Sequence, residues 1–193
     1  MAKLTLEEKK RVRKPFLWLG MASMAMAFAG LTSGYVVSRK ALLQENMWME
    51  FALPQWFYWS TVVIVLSSLS MVLAARHIRK DDHPNSTRFI WVTFALGLSF
   101  LLFQYLGWQD LVERGIYFTG SESSTSGSWV YVITLFHLLH IIAGLISLAV
   151  TGNRSARGLY SFENKLGFEL AAMFWHFLGV LWLYLFLFLL FIR

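Results

Sequence analysis

The chain has 193 residues, of which 57% are hydrophobic, 17% aromatic and only 15% charged. A soluble domain of this size needs a wet surface as well as a core and could not hide so much apolar side chain, whereas a bilayer removes the need for a polar coat. The absence of cysteine excludes disulfides, thiolate metal sites, iron–sulfur clusters and covalent haem attachment. The formal charge of +6 sits in loops of alternate sides, which points to membrane topology and anionic lipid rather than nucleic acid.

Five apolar runs are each long enough to cross about 30 Å of hydrocarbon at 1.5 Å per residue. Span 1 is read at Phe16–Val37. Its basic approach and Ala25-Met26-Ala27 resemble a cleavable signal peptide, but the apolar run continues to Val37 and reads as a retained helix. Gly30 and Gly34 form a G-x-x-x-G on it that would let another backbone come close. After the linker Arg39–Pro54, span 2 is read at Gln55–Ala75, with Ser60, Ser67, Ser68 and Ser70 expected to bond to their own helix or a neighbour. Asp82-His83-Pro84-Asn85 turns the chain into span 3, Phe89–Trp108, which carries Gln104. A Ser/Gly-rich segment leads to span 4, Trp129–Val150, and Thr151–Gly167 leads to span 5, Phe168–Ile192. The run Leu183–Phe191 is apolar all round and is expected to face lipid or a partner subunit. Trp18, Trp48, Trp56, Trp59, Trp108, Trp129 and Tyr131 cluster near span ends, as an aromatic belt would. With no internal repeat, the fold expected is all-α and integral to the membrane, one five-helix domain over 1–193.

Lys and Arg set the expected orientation. The tail before span 1 and the loops after spans 2 and 4 hold thirteen, against four for the loops after spans 1 and 3 and the C-terminus. The N-terminus is therefore expected in the cytoplasm and Arg193 outside.

Polar groups inside a span are costly unless paired, and they are few. On span 4, His137, His140, Gly144 and Ser147 share a helical face, and on span 5 Glu169 and His176 do so two turns apart. Counted from the cytoplasmic side, His140 and His176 lie roughly 12–15 Å deep. Consecutive spans are usually neighbours, so the two rings are expected to approach, with Glu169 nearer the cytoplasmic surface. Three intramembrane histidines could hold haem or a metal. Against this, an H-x-x-H pair on one helix offers a single side, and no second carboxylate or thiol is at hand to close a metal site. Interhelical hydrogen bonding, with each imidazole finding a backbone, hydroxyl or carboxylate partner, is the preferred reading.

The stretch Thr134-Leu135-Phe136-His137-Leu138-Leu139-His140-Ile141-Ile142-Ala143-Gly144 resembles the T-x-F-H-x-x-H-V-x-x-G signature of subunit III of cytochrome c and quinol oxidases, the haem–copper terminal oxidases. Phe174-Trp175-His176-Phe177-Leu178-Gly179-Val180-Leu181-Trp182 is similar to that family's Y-W-H-F-V-D-V-V-W, and Glu169 stands seven residues before His176 as the family's glutamate does. Weaker matches run through Phe28 to Arg39, Leu53-Pro54, Ser67-Ser68 and Phe100 to Gln104. Three acidic residues of the family are replaced, by Met24, Gly107 and Gly179, so no role resting on them carries over.

The resemblance implies the short five-helix bacterial form, a multi-pass subunit of the bacterial inner membrane. It would pack against catalytic subunit I and other oxidase subunits and hold phospholipids in a cleft, as part of aerobic electron transport coupled to proton translocation. No catalytic, cofactor or metal residue is expected in this chain, haems and copper belonging to partner subunits, and no nucleic acid partner. His137, His140, Glu169, Trp175 and His176 are the expected polar spine, with Trp175 meeting lipid, and Gly30, Gly34, Gly144 and Gly179 the expected packing positions. The accessory protein of nitric oxide reductase shares both motifs and stays open, as do a small b-type cytochrome and a proton-coupled transporter. Cytochrome c and quinol are not distinguished as electron donor.

Overall fold

The computed structural model describes residues 6–121, 123–161 and 164–192, with side chains from residue 11 onward. Arg193 and Lys3, which enter the charge count above, lie outside the described residues. Five α-helices follow in chain order: α1 (Leu6–Gln44), α2 (Gln55–Ile78), α3 (His83–Glu113), α4 (Thr125–Ala156) and α5 (Leu166–Phe191). Each is long and apolar enough to cross a membrane. Every predicted span falls on one helix, and most of the helices run past their apolar run. A helix satisfies its own backbone, so it continues through the polar boundary until a turn signal stops it. At 39 residues, α1 is about 58 Å long by the usual rise, well beyond the hydrocarbon thickness.

The turn signals act through identifiable atoms. Asp82 caps α3 by accepting from the Asn85 backbone N–H, and Pro84 sits in the first turn where no donor is missed. The Asn85 amide donates to the same carboxylate at 2.7 Å, and His77 at the end of α2 lies 2.9 Å from it. These bonds, the Asn85 amide foremost, hold the Asp82 carboxyl below its ordinary pKa. Ser124 caps α4 by accepting from the Gly127 N–H at 3.1 Å.

Helices α2, α3, α4 and α5 form a closed ring, each packed on the next and α5 returning to α2. Helix α1 stands outside the ring against α4 and α5, and touches neither α2 nor α3 among the described residues. Phe57, Ile64, Phe100, Ile133, Ile141, Trp175 and Trp182 fill the ring's interior. Its outer surface is apolar too, as lipid contact requires.

Candidate functional site

The two sequence signatures meet where α4 and α5 cross the ring. His137 of α4 is fully buried, and its ring lies among Trp182, Phe100 and Phe28, at centroid distances of 5.3, 6.0 and 6.2 Å. Neither of its nitrogens has a hydrogen-bond partner among the described residues. This corrects the expectation that each imidazole finds one. Aromatic side chains from α1, α3 and α5 converge at this level, so the ring is held by edge and face packing. His140 turns back on its own helix, Nδ1 donating to the Phe136 carbonyl at 2.7 Å, with its ring edge on Phe28.

His176 lies elsewhere. It lines a cleft of about 250 Å³ between α2 and α5 and another of about 370 Å³ between α1 and α5. No hydrogen bond or ring contact joins it to His140 among the described residues, so the expected approach of the two rings is not what the packing produces. On α5, His176 is one position beyond the residue that points into the ring. Glu169 pairs with Lys14 of α1 at 2.8 Å, which fastens the first turn of α5 to the outer helix.

Trp175 is that inward residue. It was expected to meet lipid and is instead fully buried. Its indole N–H donates to Ser67 Oγ of α2 at 2.8 Å, and Ser67 donates to the Thr93 carbonyl of α3 at 3.3 Å. The ring itself packs on Gly97 of α3 and Gly144 of α4, where an added Cβ would come within 2.7 and 3.1 Å of it. One tryptophan thus ties all four ring helices together.

Of the predicted packing glycines, Gly144 and Gly179 face neighbours closely, Gly179 against Ser68. The G-x-x-x-G on α1 is half used. Gly34 receives the Trp129 ring, while Gly30 meets nothing within 4 Å because α1 has no neighbour on that side.

Which polar groups pair between helices was not legible in the sequence. Trp182 donates to Thr61 Oγ1 at 3.0 Å and Trp108 to Thr134 Oγ1 at 3.0 Å, while Gln104 donates to Ser60 Oγ at 2.9 Å. The available signal was an indole N–H inside an apolar run, which needs an acceptor, together with Ser and Thr on the preceding spans. Of the four serines of α2, Ser60, Ser67 and Ser70 donate to carbonyls as expected, and Ser68 makes no hydrogen bond among the described residues. Trp18, Trp56 and Trp59 are exposed at the surface as a belt would be, whereas Trp48 and Tyr131 turn inward.

Chemically, the site is a packed polar–aromatic junction with open apolar clefts on its flanks. Among the described residues no three His, Cys, Asp or Glu side chains converge as metal ligands would.

A sequence model of the family described as "Cytochrome c oxidase subunit III" matches residues 49–192, which takes in α2 to α5 and begins beyond α1. Three similar proteins carry the name "Cytochrome c oxidase subunit 3". That of Gadus morhua is 32% identical over 131 residues, 66% of this chain and 47% of the relative. That of Spodoptera frugiperda is 30% identical over 128 residues, 66% of this chain and 83% of the relative. That of Balaenoptera musculus is 32% identical over 130 residues, 66% of this chain and 46% of the relative. The chain spans about half the length of the curated relatives it matches, the Spodoptera sequence excepted.

Proposed function

The chain belongs to the cytochrome c oxidase subunit III family, and from that premise we propose that it is a non-redox structural subunit of a respiratory haem–copper oxidase. In this reading it packs against the catalytic subunit, holds phospholipid in the cleft between α1 and α5 and supports electron transport coupled to proton translocation. The haems and copper sit in partner subunits. The observation that carries the proposal is the family match over residues 49–192, the helices that build the Trp175 junction.

Three features support it. The chain has no cysteine, and its intramembrane histidines lie in apolar and aromatic surroundings, His137 and His140 around the Phe28 ring and His176 in the α2–α5 cleft. The ring interior is filled with side chains, as a scaffold's would be. The cleft between α1 and α5, about 370 Å³, is lined mostly by apolar side chains. The bacterial inner membrane, with the cation-rich end in the cytoplasm, is the setting proposed, the orientation resting on the charge distribution.

The test is a gentle solubilisation of native membranes, capture of the chain through a C-terminal tag, and an optical spectrum and oxygen-uptake assay of the eluate. Haem bands, a large catalytic subunit and oxygen reduction are expected. Nitric oxide reduction without oxygen uptake would instead assign the chain to a reductase complex, and a spectrally silent chain eluting alone would remove the structural-subunit reading.

A further inference from the structure

Ser68 and His176 are two polar side chains in the membrane-spanning part of the molecule that find no hydrogen-bond partner among the described residues, and both line the cleft between α2 and α5. His176 is seven residues along α5 from Glu169, whose ion pair with Lys14 marks the charged boundary of the helix. At 1.5 Å per residue the imidazole is about 10 Å deeper than that boundary. Neither water nor a lipid headgroup is the natural partner at that depth, and an acyl tail has no acceptor to offer. A polar group left unmatched in hydrocarbon is costly, and intramembrane ionisable side chains normally face protein or a wet cavity.

The surroundings have the form of a contact face. Gly179 floors the cleft against Ser68, and around the polar pair stand Val65, Leu69, Val72 and Val180, apolar side chains that point outward. Leu69 is 57% and Val180 65% exposed. An apolar rim around two hydrogen-bonding groups suits a helix that packs by shape and is fixed in register by one polar bond.

We propose that the α2–α5 cleft is the docking site for a transmembrane helix of a partner subunit, which presents a carboxyl, amide or hydroxyl oxygen to His176 and Ser68. The complementarity is electrostatic: the cleft offers an imidazole N–H and a serine O–H, and the partner supplies the acceptor. The proposal rests on the subunit reading for the existence of partner polypeptides. It goes further in naming the face and the chemistry that the partner must carry.

The test uses the full chain in its native membrane complex. His176→Phe combined with Ser68→Ala removes both polar groups while keeping bulk. Leu69→Trp blocks the cleft from an exposed position on α2, which leaves the chain's own packing and the α1–α5 cleft alone. Each is expected to lower partner retention in mild detergent about tenfold, the worth of one interhelical hydrogen bond or its steric equivalent. The melting midpoint of the isolated chain should stay unchanged for Leu69→Trp. A photo-crosslinker at Leu69 should join a membrane-spanning peptide bearing an Asp, Glu, Asn, Gln, Ser or Thr at the matching depth, whereas one at Leu102 on α3 should not. Replacing that partner residue with an apolar one should reproduce the loss, with no further loss on adding the His176 and Ser68 changes. Lipid adducts alone from Leu69, or full retention of partners in all variants, would overturn the proposal. If the wild-type chain captures no oxidase at all, the subunit reading fails first; if it does and the variants do too, only the docking site fails.

Discussion

The space that a side chain at position 107 would enter is filled by the ring of Phe57, which is itself fully buried and set edge-on to Trp182 at 5.9 Å. An acidic side chain is what the family resemblance leads one to expect here, and an aromatic ring from the neighbouring helix has taken its volume. The same pairing of a bare backbone with a large ring recurs at Gly34 with Trp129 and at Gly97 and Gly144 with Trp175. Tight helix approach in lipid depends on such small positions, since water gives no drive for helices to associate there. Gly107→Ala should therefore overpack the α2–α3 contact at a cost of about 1–3 kcal/mol. Its detergent melting midpoint should fall, and Phe57→Leu in the same chain should recover part of the fall by opening the space. A Gly107→Ala chain that melts with the wild type would mean that the Phe57 ring yields freely and that the close fit has no energetic weight.

Between elements, the Trp175–Ser67–Thr93 relay joins α5, α2 and α3 through two hydrogen bonds, while the Trp175 ring rests on α4. Trp175→Phe and Ser67→Ala should each destabilise the isolated chain by about 0.6–2 kcal/mol, the range for interhelical hydrogen bonds in membranes. In a double-mutant cycle followed by thermal unfolding, the combined change should fall short of the sum, because either substitution alone already breaks the shared bond. Strict additivity would show that the contact contributes no coupling. This junction also marks the limit of what the sequence shows. The five helices were legible because each carries an apolar run of membrane length, and the turn into α3 because of Asp-His-Pro-Asn, although the helix begins at His83 and not at Phe89. Which side of each helix faces inward was not, since these helices are apolar nearly all round and polarity does not point to the core. Trp175 and His176 are adjacent, and only the fit of the indole onto Gly97 and Gly144 decides that the first goes in and the second out. His137 was found by its spacing, yet its aromatic surroundings come from three helices distant in sequence.

Across the whole molecule, α1 is a strut laid along a four-helix ring and fastened at three heights. Lys14 pairs with Glu169 at one end, Phe28 meets the His137 and His140 rings midway, and Thr32 and Tyr35 reach Tyr184 and Phe188 of α5 beyond. The Lys14–Glu169 pair puts the start of α1 at the same end as the start of α5, and the α2–α3 turn shares that end because α2 to α5 alternate around the ring. Arg76, Arg79, Lys80, Arg88, Arg154, Arg157 and Lys165 therefore gather on one face with Asp81, Asp82 and Glu169, and Arg39, Lys40, Asp110, Glu113 and Arg114 stand on the other. Cations retained on the cytoplasmic side are the main determinant of topology, so the first face should lie inside. A chain without cysteine allows a direct trial. Lys80→Cys and Ser121→Cys place single thiols at exposed positions on opposite ends. In intact cells a membrane-impermeant maleimide should label Ser121→Cys and spare Lys80→Cys, which should react once the membrane is opened. The reverse pattern would invert the molecule and separate its charge asymmetry from its insertion. Labelling of both in intact cells would show that the chain does not divide the two ends across one sealed bilayer.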